Sequence, residues 1–116
     1  MPTTELPVAQ LKAELFKALA HPVRVQALEQ IVAKERSVSE LATTLGVEIS
    51  HLSKQLGILR KAGVVDTRRE GTTIYYSVRD PRLAEIFAVA RDMIVANLEV
   101  AHTLLASLRS HPEVTA

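Results

Sequence analysis

The chain has 116 residues, of which 47% are hydrophobic and 23% charged, a composition typical of a soluble globular protein with one modest core. It has no cysteine, which excludes disulfides and thiolate metal sites, and no run of about 18 apolar residues that could cross a membrane. Because no secretory signal is visible at the N-terminus, we expect a cytoplasmic protein that forms one domain over residues 1–116 and does not associate with a membrane.

Two helices are predicted in the N-terminal third of the chain. Apolar residues recur at helical spacing over residues 8–19, which predicts the first helix. Pro22 is suited to the first turn of a second helix that continues to about residue 34. His21, which precedes that proline, is expected to cap the second helix.

Residues 37–62 have the pattern of a helix-turn-helix. Ser37 and Glu40 form an S-x-x-E capping box, in which each side chain can accept a hydrogen bond from the other residue's backbone N–H. They begin a short third helix that Gly46 ends, because glycine readily takes the left-handed conformation at a helix end. A fourth helix follows over residues 49–62. Its predicted inward stripe consists of Ile49, Leu52, Leu56 and Leu59.

A hairpin and a long helix complete the predicted fold. The runs VVDTRR and TTIYYSV are rich in β-branched and aromatic residues and flank a glycine turn, which predicts a hairpin over residues 64–78. Asp80 as N-cap and Pro81 at the first position then begin a last helix over residues 81–108. The predicted fold is therefore mainly α with a small β-hairpin wing, a winged helix-turn-helix in the order α-α-α-α-β-β-α.

The outer face of the fourth helix is a candidate DNA-reading surface. At about 100° per residue its outward positions are Ser50, His51, Lys54, Gly57, Ile58 and Lys61, with Ser53 and Gln55 on the flanks. These polar groups are suited to base edges in a major groove, and the helix N-terminus favours phosphate. Residues 49–73 hold five Lys and Arg against two Asp and Glu, a local charge of +3 on a chain of net charge +1. The alternative is an ordinary solvated face.

Gly57 is unusual in this helix, because an internal glycine costs about 1 kcal/mol relative to alanine. It could permit close approach of another backbone or of DNA, or it could simply be tolerated, and a packing reason is favoured. For Ile58 beside it, packing under the wing is favoured over contact with a thymine methyl.

The tip of the hairpin is a second candidate contact surface. Its polar residues are Arg68, Arg69, Thr72 and Thr73. A wing tipped by arginines can reach the phosphate backbone or an adjacent minor groove. Taken alone, these side chains could equally be solvated surface groups, but their position after a helix-turn-helix favours DNA contact.

Three segments are together more specific than a bare helix-turn-helix pattern: LFKALAHPVRVQALEQI, SVSELATTLGVEISHLSKQLGILRKAGVV and RREGTTIYYSV. They resemble the ArsR/SmtB family of winged-helix repressors, over roughly residues 8–80. The resemblance implies a homodimer, held by its first and last helices, that represses a nearby operon until an inducer lowers its affinity for DNA. It also implies contacts with bases and phosphates by Ser50, Ser53, Lys54 and Gln55, and wing contacts by Arg68, Arg69 and Thr73.

The last helix carries an apolar seam whose steps alternate between four and three residues: Leu83, Phe87, Ala90, Ile94, Asn97, Ala101, Leu104 and Leu108. A helix over residues 81–108 would be about 42 Å long. This is more apolar stripe than one small domain can bury, so dimerisation is predicted. Leu11 and Leu15 of the first helix are expected in the same interface. Asn97 either fixes the register of the seam or lies partly exposed at its edge.

We expect no bound cofactor, although the family that the chain resembles includes metal sensors. The thiolate site of that family cannot form here, and its oxygen and nitrogen site retains only Asp80. Glu99 and His102, with His111 further along, could bind Ni²⁺ or Zn²⁺ across a dimer, and solvated polar surface is the alternative. A small organic inducer, a protein partner or no inducer also remain open.

An enzyme and a protein–protein interaction module are the two rival classes of function. An enzyme is not expected, because the chain has no nucleophile elbow, no H-E-x-x-H motif and no glycine-rich phosphate loop. A winged-helix module for protein–protein contact is the stronger rival. Binding to double-stranded DNA should weaken steeply with salt, which separates the two. A two-fold dimer should read an inverted-repeat operator whose half-sites lie about 34–36 Å apart.

Overall fold

The computed structural model describes residues 5–111 and the side chains of residues 7–111. Within this range the chain forms five helices and three strands: α1 (Glu5–Leu19), α2 (Pro22–Ala33), β1 (Arg36–Ser37), α3 (Val38–Leu45), α4 (Ile49–Lys61), β2 (Val65–Glu70), β3 (Thr73–Val78) and α5 (Leu83–Ser110). The chain divides into two compact units, one that ends at Leu83 and one that begins at Ala84, where the sequence predicts a single domain. The predicted winged helix-turn-helix is confirmed.

Helix α2 begins where its cap and its proline predict. The side chain of His21 accepts a hydrogen bond at Nδ1 from the backbone N–H of Val23, at 3.1 Å, and Pro22 occupies the first helical position. The expected cap is therefore confirmed. Helix α1 begins at Glu5, one turn before the predicted start.

The capping box ahead of α3 is also confirmed. Ser37 Oγ accepts from the Glu40 N–H at 3.1 Å, and Glu40 Oε1 accepts from the Ser37 N–H at 3.2 Å. Hydrogen bonding of the Glu40 carboxyl to the backbone and the side chain of Ser37 lowers the pKa of this carboxyl below its ordinary value. At the other end of α3, Gly46 has φ +67°, so the chain leaves the helix in the left-handed conformation and enters α4 within three residues.

The wing is part of a three-stranded antiparallel sheet in the order β1-β3-β2. Strands β2 and β3 form the predicted hairpin, with Val65 opposite Val78 and Glu70 opposite Thr73. Strand β1, which the sequence did not predict, pairs with β3 on its other side through Arg36 and Ser37. Two residues carry no alternating pattern of their own, so this strand exists only because β3 offers an edge to pair with.

The core of the first unit lies between α2, α3, α4 and β2. Its largest fully buried side chains are Leu28, Ile31, Leu41, Leu52, Leu56, Leu59 and Val65. Ile49, predicted to face inward with the α4 leucines, is 52% exposed, and this prediction is wrong. The buried side of α4 extends instead to Gln55, which lies about 60° from Leu52 on the other side of the stripe.

Helix α5 begins at Leu83 rather than at Pro81. Asp80 caps a turn in front of the helix: its backbone carbonyl accepts from the Leu83 N–H, and its carboxylate accepts from the backbone and guanidinium of Arg82. These hydrogen bonds from Arg82 lower the pKa of the Asp80 carboxyl to about 2. No helix within residues 5–111 is long and apolar enough to cross a membrane.

Candidate nucleic-acid interface

Helix α4 is held by its leucines so that a polar face points outward. Leu52, Leu56 and Leu59 are completely buried against neighbours in α2, α3 and β2. Because these three side chains fix the rotation of the helix about its axis, the opposite face is presented to solvent. The exposed polar side chains of its N-terminal half are those of Ser50, His51, Ser53 and Lys54.

The first turn of α4 has no side-chain cap. Glu48 occupies the N-cap position, and its backbone carbonyl accepts from the Leu52 N–H at 3.0 Å, but its side chain accepts no hydrogen bond from the helix. The backbone N–H groups of the first turn therefore lack an acceptor from the capping residue, and they lie beside Ser50 and His51. Free N–H groups and the positive end of the helix dipole favour a phosphate oxygen at this position.

Within residues 5–111, no ion pair involves Lys54 or Lys61 of α4 or Arg69 of β2. All three are exposed. Cationic side chains that are not neutralised by a neighbouring carboxylate can contact phosphates without first breaking an ion pair. The absence of ion pairs at these three side chains is consistent with the predicted DNA-reading surface.

The two arginines of the wing differ sharply in their surroundings. The guanidinium of Arg68 lies 2.7 Å from Glu35 and 2.8 Å from Glu70, and it sits 4.6 Å from the centre of the Tyr75 ring. The two carboxylates raise the pKa of Arg68 above its ordinary value. Arg69 beside it has no such partner, so the phosphate contact predicted for both arginines requires Arg68 to exchange its carboxylates.

The remaining wing residues lie at the tip. Gly71 has φ +64° in the turn between β2 and β3, a conformation that favours glycine. Thr72 is exposed beside it, and Thr73 is half-buried at the start of β3. The tip therefore presents one exposed hydroxyl next to Arg69.

Gln55 does not lie on the outer face. Its side chain is 6% exposed, and its Oε1 accepts a hydrogen bond at 2.7 Å from Nη1 of Arg24 on α2. The sequence places this residue on the flank of the helix and expects it to contact bases. The structure places it in the core side, because the packing neighbours of α4 cover that flank and Arg24 supplies a donor.

Gly57 has no packing reason within the described chain. A Cβ atom built on this residue would meet nothing within 4 Å, so the favoured packing explanation is wrong for the single chain. Ile58 is 38% exposed rather than covered. The outer face of α4 is therefore open at Gly57, with the partly exposed Ile58 beside it.

The described parts of α1 and α5 expose apolar side chains. On α1 these include Leu11, Leu15 and Phe16. Of the predicted seam on α5, Ala90, Ile94, Asn97, Ala101, Leu104 and Leu108 are exposed and Phe87 is half-buried. Leu83 is the exception, because it is only 7% exposed within the first unit and cannot reach a partner in this state.

The sequence missed two members of the α5 stripe. Leu98 and Leu105 are exposed and lie about 40° and about 20° from Ile94 around the helix. A strict alternation of four and three residues omits them, whereas a wider stripe, measured by angle, includes them.

The comparisons with known proteins agree with this geometry. Residues 21–67, from the cap of α2 into the wing, match the family described as "Bacterial regulatory protein, arsR family". Over 110 residues the chain is 46% identical to the HTH-type transcriptional regulator Rv0081 of Mycobacterium tuberculosis H37Rv, covering 94% of this chain and 96% of the relative. The chain belongs to the arsR family.

Two solved structures of this family are close to the chain. The crystal structure of Rv0081 from M. tuberculosis superposes with a TM-score of 0.73 at 49% identity, covering 82% of this chain and 96% of that chain. The solution structure of the homodimeric winged helix-turn-helix DNA-binding domain of Mb0332 from Mycobacterium bovis has a TM-score of 0.72 at 31% identity, covering 88% of this chain and 93% of that chain. The chain is accordingly a transcriptional regulator of the helix-turn-helix type.

The predicted metal ligands of this arsR-family chain are not assembled within one protomer. Glu99 and His102 line a shallow depression of about 440 Å³ on α5, and His111 instead lies against Ser107 and Ser110. No group of three or more His, Asp or Glu residues with metal-binding geometry occurs in residues 5–111. A site shared across a dimer stays a prediction.

Two residues near α4 were not assigned to the interface by sequence reasoning. The ring of His21 lies 6.2 Å from that of His51, centre to centre, at the edge of the outward face. Because Nδ1 of His21 accepts from Val23, the neutral ring carries its proton on Nε2 and is a hydrogen-bond donor there. Arg24 is the second residue. The sequence around Arg24 gave no signal of the polar partners that this side chain meets in the fold.

Proposed function

We propose that the chain is a homodimeric repressor that binds an inverted-repeat DNA operator through α4 and the wing and is released by an inducer. The observation that carries this proposal is the rotation of α4, which its buried leucines fix so that Ser50, His51, Ser53 and Lys54 face outward. Two relatives support it by their names: the homodimeric Mb0332 domain, and the biofilm growth-associated repressor of Agrobacterium fabrum, 43% identical over 74 residues, which cover 64% of this chain and 63% of that protein.

The outward groups divide into readers and anchors. The hydroxyls of Ser50 and Ser53 and the imidazole of His51 can donate to or accept from base edges in the major groove. The unpaired cations Lys54, Lys61 and Arg69 are suited to phosphates, and the uncapped first turn of α4 adds N–H donors for one more phosphate oxygen.

The homodimer follows from the exposed apolar stripes of α1 and α5. Isolated leucines on a surface need no explanation, but a stripe over most of a 28-residue helix does. A second copy supplies a matching stripe, because a two-fold axis brings the same surface of each protomer together. Two copies of α4 would then read half-sites about one helical turn apart.

A salt titration of DNA binding tests the proposal. A duplex is first selected from a randomised pool by the wild-type chain, and its dissociation constant is then measured by fluorescence anisotropy between about 50 and 200 mM salt. Lys54→Ala should reduce the salt slope by about one for each protomer, whereas Arg109→Ala, which removes one charge from the last turn of α5, should not. No enriched duplex, or binding that does not depend on salt, would refute it.

A base-reading variant completes the test. Ser53→Ala should relax the preference at one position of each half-site, by about 1–3 kcal/mol for the affected base pair, and leave the salt slope unchanged. A uniform loss over all duplexes would instead make Ser53 a backbone contact.

A further inference from the structure

Arg24 joins three helices of the first unit. It lies in the first turns of α2, and its Nε donates to the carbonyl of Ala18 at 2.6 Å and its Nη2 to that of Lys17 at 3.3 Å. Its Nη1 donates to Oε1 of Gln55 on α4 at 2.7 Å. One guanidinium therefore connects the last turn of α1 to the DNA-reading helix, and α1 and α4 are also in direct contact.

At each end of this connection the Arg24 guanidinium meets acceptors that favour a cationic donor. The last carbonyls of a helix lack intrahelical partners and carry the negative end of the helix dipole, so a cation beside Lys17 and Ala18 is favourable. At the other end Gln55 is 6% exposed, where a polar side chain needs a partner, and a charged donor makes the stronger kind of hydrogen bond. A flat guanidinium can serve both ends at once, whereas a lysine ammonium is a single point.

The connection ends directly beside the DNA-contacting groups. Gln55 follows Ser53 and Lys54 in the same helix, and a helix turns as a rigid element. A displacement of the α4 backbone at Gln55 therefore moves the outward face. The α1 end of the connection belongs to a helix of the proposed dimer interface. The exposed apolar face of α1, assigned above to the partner copy, consists of Leu11, Leu15 and Phe16.

We propose that Arg24 is a positioning residue for DNA binding, which ties α4 through Gln55 to the end of α1 so that the placement of α1 in the dimer sets the placement of the DNA-reading face. This inference rests on the proposed function. It also gives a reason for a glutamine on the buried side of α4, where an apolar residue would need no hydrogen-bond partner.

A double-mutant cycle on DNA affinity tests this role. Arg24→Met, Gln55→Leu and the double variant break the same connection, so each should weaken binding to the selected duplex by a similar factor, about tenfold. Each single variant leaves one buried polar partner unsatisfied and should unfold at a lower temperature. The double variant replaces both partners by apolar groups and should recover most of that loss.

The outcomes separate positioning from a merely structural role. A double variant that is stable and dimeric by sedimentation but still binds the duplex weakly supports the proposal. A double variant that regains wild-type affinity with its stability, or losses that add up in the double variant, would overturn it. A change in preferred base for Gln55→Leu that Arg24→Met does not share would make Gln55 a base reader instead. Failure of the wild-type chain to bind any duplex would remove the proposed function and this inference together, and is distinguished by the wild-type titration alone.

Discussion

Arg68 Nη2 lies 2.7 Å from Oε1 of Glu35, although the two residues are 33 positions apart in the chain. This pair joins the wing to the segment between α2 and β1, and the Tyr75 ring beneath the guanidinium holds it in place. Arg69, the next residue, makes no ion pair or side-chain hydrogen bond within residues 5–111. Adjacent arginines that look equivalent in the sequence are therefore distinct, one engaged within the chain and one available for DNA.

This difference leads to the first prediction. Arg69→Ala should weaken binding to the selected duplex and reduce the salt slope by about one for each protomer, because it removes an available phosphate contact. Arg68→Ala should reduce the slope less, since two carboxylates already neutralise its charge. Anisotropy titrations of both variants over the same salt range make the comparison. An equal reduction would show that Arg68 exchanges Glu35 and Glu70 for phosphate on binding.

Removal of the Ser37 hydroxyl from the capping box of α3 should lower the stability of the fold without changing its charge. Ser37→Ala removes the acceptor for the Glu40 N–H and should lower the free energy of unfolding by about 1 kcal/mol. Ser39→Ala, two residues later on the exposed side of α3, is the matched control and should change little. Urea denaturation of the two variants measures the difference, and equal stability would mean that water replaces the cap.

The turn in front of α5 predicts a dependence on acid pH. The folded pKa of Asp80, about 2, lies below its ordinary value of 3.8. The ionised carboxylate therefore stabilises the fold fully above about pH 4, and this contribution is lost as the pH falls through 2. Asp80→Asn should reduce stability at neutral pH and flatten its fall between pH 4 and 2. Parallel pH profiles for the variant and the wild type would contradict this assignment.

Two glycines with open surroundings should respond to alanine in opposite directions. A Cβ on Gly57 or Gly46 would meet nothing within 4 Å, but only Gly46 has a positive φ, +67°. Gly57→Ala should raise the free energy of unfolding by up to about 1 kcal/mol, because alanine favours the helix. Gly46→Ala should lower it by about 1 kcal/mol or more, because alanine is strained in that conformation. Thermal unfolding compares them, and destabilisation by Gly57→Ala would indicate a contact with a second copy.

The exposed stripe of α5 predicts the effect of a buried charge on association. Leu98→Glu places a carboxylate near the centre of the stripe and should convert the dimer to monomer in sedimentation velocity, because an unpaired charge would be desolvated in the interface. Thr103→Glu introduces the same charge about 180° from Ile94 around the helix, on the face away from the stripe, and should leave the dimer intact. If both variants remain dimeric, the stripe is not the interface.

Local sequence signals determined the order of the elements. The Ser37–Glu40 box, Gly46 with its positive φ, and the Pro22 start of α2 each act through hydrogen bonds and torsion angles within a few residues, so the helix-turn-helix and its wing could be read before any tertiary contact was known. The polar character of the outer face of α4 could also be read from the sequence, because helical periodicity places these residues opposite the leucine stripe.

Only the tertiary structure decided which flank of each element is buried and which charges are paired. Ile49 and Gln55 lie on either side of the α4 leucine stripe, and the neighbours packed against the helix cover the glutamine rather than the isoleucine. The partners of Arg24 and Arg68 come from residues up to 33 positions away. Helical periodicity specifies the direction of a side chain to within tens of degrees, but burial and pairing depend on surfaces that only the folded chain brings together.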